Sequence, residues 1–150
     1  GHLAPASDMA MNTTSMDESF FLSNISPQAP SFNRGIWKKL ENLFRNWAVS
    51  KASIYIVTGG VLSESLPTIG AGVSIPNYYY KIALAFDGSD YSCIAFLMPN
   101  QKGSAPLESF VVSVDYIEEI TGIDFYPHLS DEIEHEIEAS TSTLGWNFNF

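Results

Sequence analysis

Three side chains in the first third of the chain can work together chemically: a loop histidine, His2, a carboxamide at a helix start, Asn33, and a carboxylate two turns further on, Glu41. A neutral imidazole titrates near neutral pH and can take a proton from water. On one continuous helix, Asn33 and Glu41 would lie ~80° apart around the axis and ~12 Å apart along it. That separation is too wide for both to bind one ion directly. A hard cation such as Mg²⁺, which keeps several waters, can still take Asn33 as an oxygen ligand and meet Glu41 through a coordinated water. Glu41 and Arg45 stand at i and i+4, which sets a guanidinium beside the carboxylate. Taken singly, each residue has a plainer reading. His2 is a terminal residue, Asn33 a helix N-cap, Glu41 with Arg45 a solvated pair, and Asn24 a turn residue.

The electrostatic setting is uneven. Across 150 residues, 17 acidic side chains face 7 basic ones, a formal net charge of −10. As a whole, that balance argues against a nucleic-acid partner, whose binding proteins usually carry a basic footprint. Yet Arg34, Lys38, Lys39, Arg45 and Lys51 cluster together, and residues 1 to 51 hold only Asp8, Asp17, Glu18 and Glu41 as acids, so that third is net positive. The acids concentrate late, nine of them between Asp115 and Glu138. Bulk charge therefore says little about the potential in a cleft near residues 34 to 45.

The elements that must hold these residues read as an α+β domain of one unit, 1–150. Residues 1 to 32 are broken by Pro5, Pro27 and Pro30 and read as loop. From Arg34 to Ser50, Ile36, Trp37, Leu40, Leu43, Phe44, Trp47 and Ala48 repeat as one helical face, with Asn33 in the N-cap position. Ser53 to Val57 reads as a buried strand followed by a long loop through Pro76. Tyr78 to Phe86 and Tyr91 to Met98 form a predicted hairpin across Asp87-Gly88-Ser89-Asp90. A strand at Phe110 to Val114 and short helices at Asp115 to Thr121 and Ser130 to Ala139 complete the order. The acidic face of the last helix is expected to be solvated and turned away from any cleft. Cys93, the single cysteine, sits in an apolar run and is expected to be a buried, inert thiol. His128 and His135 have no motif around them and read as structural or surface residues. No ~20-residue apolar stretch is present, so no membrane partner is expected.

Gly1-His2-Leu3-Ala4-Pro5, then Asn24-Ile25-Ser26-Pro27-Gln28, then Asn33-Arg34-Gly35-Ile36-Trp37-Lys38-Lys39-Leu40-Glu41 occur in order. Together they resemble the signature of the DNA/RNA non-specific endonucleases of the ββα-metal (His-Me finger) group, which include secreted bacterial nucleases. The resemblance continues loosely through Val57-Thr58-Gly59-Gly60 and Val112-Ser113-Val114-Asp115. It implies a ββα-metal core with an antiparallel sheet flanked by helices. It also implies a Mg²⁺-dependent hydrolase of DNA and RNA in which His2 is the general base and Asn33 the metal ligand. By the same resemblance Glu41 holds metal-bound waters, Asn24 fixes the histidine loop and Arg45 lies near the scissile phosphate. Arg34, Lys38 and Lys39 are either a phosphate-facing patch or simply the wet side of the helix, with Arg34 and Lys38 the candidate substrate contacts. The family motif has Asp-Arg before the Gly-His pair, and the chain starts at that glycine. It is therefore expected to be the C-terminal part of a longer nuclease, with the N-terminal part of the fold missing. The upstream fragment and a second copy are further partners to consider, and a secreted or periplasmic location is expected. The rival expectation is a truncated, non-catalytic nuclease fold that binds or inhibits a partner, through an unpaired sheet edge.

Overall fold

The computed structural model describes residues 1–150. A four-stranded antiparallel sheet in the order β1-β4-β5-β6 forms its centre. The strands are β1 (Ser53–Gly60), β4 (Tyr78–Phe86), β5 (Tyr91–Pro99) and β6 (Val111–Val112), and a separate small hairpin pairs β2 (Thr68–Ile69) with β3 (Val73–Ser74). The β4–β5 hairpin closes where the turn chemistry predicts. Asp87 Oδ1 accepts the N–H groups of Ser89 and Asp90 at 2.9 Å each, while Gly88 takes φ 101°.

Both central strands are covered on both faces, which explains why they read as near-continuous apolar runs. Alternation sends Tyr79, Ala83, Ala85, Ile94, Phe96 and Met98 to one face, under helix α2 (Trp37–Ser50). Tyr80, Ile82, Leu84, Cys93 and Ala95 go to the other, under α3 (Val114–Thr121) and α4 (Asp131–Glu138). The α2 stripe is aromatic: Phe44 packs on Phe96 at 5.7 Å between ring centroids, and Trp47 lies 4.7 Å from Trp146 near the C-terminus. Helix α3 ends where Gly122 adopts the left-handed conformation, φ 69°, and returns its N–H to Glu118 O at 2.7 Å. Cys93 is buried as expected, and burial pushes its thiol up to about 12.

Several expectations need correction. The first 32 residues contain α1 (Thr13–Glu18) and short 3₁₀ turns at Ala6–Met9 and Leu22–Asn24. Asn12 caps α1 through Oδ1 to Ser15 N at 2.8 Å, a local bond that overrides the irregular pattern. Strand β1 is not buried; it forms a sheet edge, with Tyr55 and Ile56 exposed. The strand expected at Phe110 to Val114 shrinks to Val111–Val112, and Ala48 is exposed. Ser130 occupies the N-cap position of α4 without a side-chain capping bond. The acidic face of α4 is not fully solvated, because Glu138 at its end is only 4% exposed. His128 and His135 are exposed. No helix is long and apolar enough to cross a membrane.

Candidate active site

The histidine loop and the Asn24–Ser26 segment are joined by backbone hydrogen bonds. Leu3 N donates to Asn24 O and Ser26 N to Gly1 O, each at 2.9 Å, flanking a His2–Ile25 antiparallel bridge. The Asn24 side chain completes the clamp. Its Oδ1 accepts from Ala4 N at 2.9 Å, and its Nδ2 donates to Ala4 O at 2.9 Å and Ser19 O at 2.8 Å. This unit is tied to the sheet by Tyr79, whose hydroxyl meets Ser26 Oγ at 2.5 Å and donates to Pro27 O at 2.9 Å. Asn100 Oδ1 adds a bond from Ala29 N at 2.7 Å. The loop that carries His2 is thus held by a central strand two motifs away in sequence.

Asn33 does not cap a continuous helix. A wide turn at Phe32–Ile36, with Trp37 N donating to Phe32 O, precedes α2, and Gly35 departs from helical geometry. The ~80° and ~12 Å spacing of a straight helix therefore does not apply. The turn brings Asn33 to the same pocket as Glu41.

That pocket, about 250 Å³, is lined by His2, Asn33, Arg34, Lys38, Glu41 and Arg45, together with Ser7 and Asn42 among others. Asn24 lies behind it, against the histidine loop. Arg45 corrects one expectation: it does not pair with Glu41. Its guanidinium bonds Asp8 Oδ1 at 2.7 Å through Nε, Asn42 Oδ1 at 2.7 Å and Ser7 Oγ at 2.6 Å, and its ion pair with Asp8 closes to 2.6 Å. Asp8 is closer because the Ala6–Met9 turn folds over α2. Asp8, Ser7 and Asn42 thus belong to the site. Asp8 and Ser7 follow the histidine motif directly, and Asn42 is three residues before Arg45, so their proximity in sequence was the available signal.

The electrostatics suit a proton acceptor beside a cation. Burial lowers the His2 pKa, which favours the neutral imidazole. Its ring meets Phe20 at 4.6 Å, and Nε2 is buried without a partner, leaving Nδ1 as the nitrogen that reaches solvent. Half-burial raises the Glu41 pKa, opposed first by Lys81. Asn33 and Glu41 both line the pocket; the Trp37 indole stands close enough to the Glu41 carboxylate to help hold its pKa down. An all-oxygen donor set beside a polar pocket of about 250 Å³ leaves room for a hydrated hard cation.

The chain as a whole is similar to known nucleases. The family model described as DNA/RNA non-specific endonuclease matches residues 1–132. Similar proteins include "Nuclease C1" of Cunninghamella echinulata var. echinulata, 32% identical over 95% of this chain and 62% of that protein. Mitochondrial endonuclease G of Homo sapiens is 29% identical over 86% of this chain and 48% of that protein. Among solved structures, a chain in the crystal structure of the EndoG/EndoGI complex superposes with a TM-score of 0.81 at 27% identity, covering 89% of this chain and 60% of that one. The chain thus spans about half to three fifths of the length of these relatives. With its α+β architecture and the family match over most of its length, the chain belongs to the DNA/RNA non-specific endonuclease family.

Proposed function

We propose that residues 1–150 form one domain that carries the hydrolytic centre of a non-specific nuclease, cutting phosphodiester bonds of DNA and RNA with Mg²⁺ or another divalent cation. The observation that carries this reading is the single pocket shared by His2, Asn33, Glu41, Arg34, Lys38 and Arg45. His2 accepts a proton at Nδ1 from the attacking water as a new P–O bond forms and the scissile P–O bond breaks. The clamp around Asn24 keeps that nitrogen aimed at the pocket. Asn33 Oδ1 and, through water, the Glu41 carboxylate would hold the cation, which when bound offsets charge on the phosphate and the leaving oxygen. Arg45, oriented by Asp8, Ser7 and Asn42, adds fixed positive charge near the phosphate. Arg34 and Lys38 supply charge that reads the backbone and not the bases, which is why sequence selectivity is low.

Asn33→Ala tests the assignment. In plasmid and RNA cleavage followed against Mg²⁺ concentration, the variant is expected to need much more cation for half-maximal rate, on the order of 10-fold or more. An unchanged Mg²⁺ dependence removes Asn33 from the site. No cleavage by the wild-type chain at any Mg²⁺ concentration favours the non-catalytic reading, in which the open β1 edge binds a partner.

A further inference from the structure

A lysine inside a sheet core is rare unless its charge has a use. Lys81 is 2% exposed and stands between Tyr79 and Ala83 on the α2-facing side of β4. Its one hydrogen bond goes to a neutral oxygen, Thr58 Oγ1 at 2.8 Å, which leaves two N–H groups free. Its Nζ lies 5.5 Å from the centroids of both the Trp37 and Phe44 rings. Cation–π attraction offsets part of the cost of burying an ammonium, but a bare ammonium in a core remains expensive without a counter-charge.

No carboxylate closes on Nζ as an ion pair within 4.0 Å, the one salt bridge being Arg45–Asp8, so the counter-charge acts across a short gap. Trp37, Glu41 and Phe44 are i, i+4 and i+7 on α2, so Glu41 projects from the same side of the helix as the two rings that flank Nζ. Glu41 is half-buried there. Arg45, its expected partner, is committed to Asp8, Asn42 and Ser7. Lys81 is the only buried cation of the chain, and Arg34 and Lys38 are exposed. Burial lowers the Lys81 pKa to about 8, with Glu41 the strongest group holding it up and Asp8 next.

We propose that Lys81 is a positioning residue for the pocket: its buried ammonium is the counter-charge that holds the Glu41 carboxylate in place from beneath α2. Lys81 does not touch substrate. Its effect runs through Glu41, and the kinetic part of the assignment rests on the hydrolytic reading above. A lysine with only a packing role would be replaced by methionine at little loss, since the aliphatic stem keeps its contacts, whereas removing one partner of a buried charge pair strands the other.

Two measurements on the full chain test this. The first needs no activity: thermal unfolding of wild type, Lys81→Met, Glu41→Gln and the double variant. Direct coupling predicts that the Tm changes are not additive, by roughly 2 °C or more, because each single variant leaves one charge without its partner. The second is steady-state cleavage of DNA. Lys81→Met is expected to lower kcat about 10-fold or more while KM changes less than about twofold. In Lys81→Ala, n-propylammonium should restore part of kcat and n-propanol should not. The cavity of about 530 Å³ that Lys81 lines gives a small amine access. Additive Tm changes, an unaltered kcat in folded Lys81→Met, or equal rescue by the alcohol would each overturn the assignment. A wild-type chain that shows Tm coupling but no cleavage overturns the hydrolytic reading and the kinetic role while leaving the electrostatic coupling of Lys81 to Glu41 in force.

Discussion

On the face of the sheet covered by α2, the buried charge is Lys81, set against a hydroxyl and two aromatic rings and within the field of the Glu41 and Asp8 carboxylates. On the face covered by α3 and α4 it is Glu138, whose Oε1 has no hydrogen-bond donor and whose carboxylate lies with those of Asp115 and Glu118, their oxygens within 4.8 Å of one another. Burial first, and then Glu118 and the acids around it, pushes Glu138 up to about 7. One sheet thus separates a charge-matched, cation-bearing face from an unmatched acidic one. The net charge of −10 is therefore compatible with a polyanionic substrate only on the α2 side. The acidic cluster lies on the sheet face opposite α2, and its chemistry is that of the packing there.

The largest effect should come from breaking the α2 face itself. Phe44→Ala removes a fully buried ring that contacts Phe96 and Trp47 and borders Lys81, and should cost ~3–5 kcal/mol in urea or thermal unfolding. A smaller effect is expected in binding. Arg34→Ala and Lys38→Ala should each weaken affinity for DNA and reduce the slope of log affinity against log salt by about one, without regard to sequence. Glu132→Gln and Glu136→Gln, on the opposite side, should leave that slope unchanged; a comparable change there would erase the distinction between the faces.

The smallest effect sharpens the acidic side. Because the folded Glu138 pKa is raised from 4.5 to about 7, the unfolded chain releases this proton first. Stability contributed by the group is present below about pH 4.5 and is lost as pH rises toward 7. Glu138→Gln should therefore raise Tm at pH 8 by a few degrees, on the order expected for ~1 kcal/mol, and change it little at pH 4. Equal shifts at both pH values would show that Glu138 titrates normally.

How far the sequence carried the argument depended on the range of each interaction. The β4–β5 hairpin was readable because Asp87 and Gly88 close it locally. Helix α2 was readable because its apolar stripe repeats over several turns. The start of that helix was not, since the wide turn at Phe32–Ile36 depends on how residues 29–33 dock, and Asn33 therefore looked like a cap. Strand β1 read as buried because an apolar run does not reveal which neighbours it gains. The small β2–β3 hairpin hid in a Gly-rich stretch whose turn uses positive φ at Gly70 and Gly72. In the site, the histidine, amide and carboxylate were legible from motif order. The Arg45–Asp8 pair and Lys81 were not: the first joins residues 37 positions apart when the Ala6–Met9 turn folds over α2, and the second meets Phe44 and Trp37, 37 and 44 positions away, only when α2 lies across the sheet.

The central claim is that hydrolysis takes place in the pocket beneath the His2 loop. Relaxation of supercoiled plasmid by the 150-residue chain in Mg²⁺, before and after His2→Ala, tests it most directly. The account predicts cleavage by the wild type, abolished by EDTA, and a rate lower by ~10²–10⁴ in the variant while its Tm stays close to wild type. Equal rates for the two proteins would contradict it.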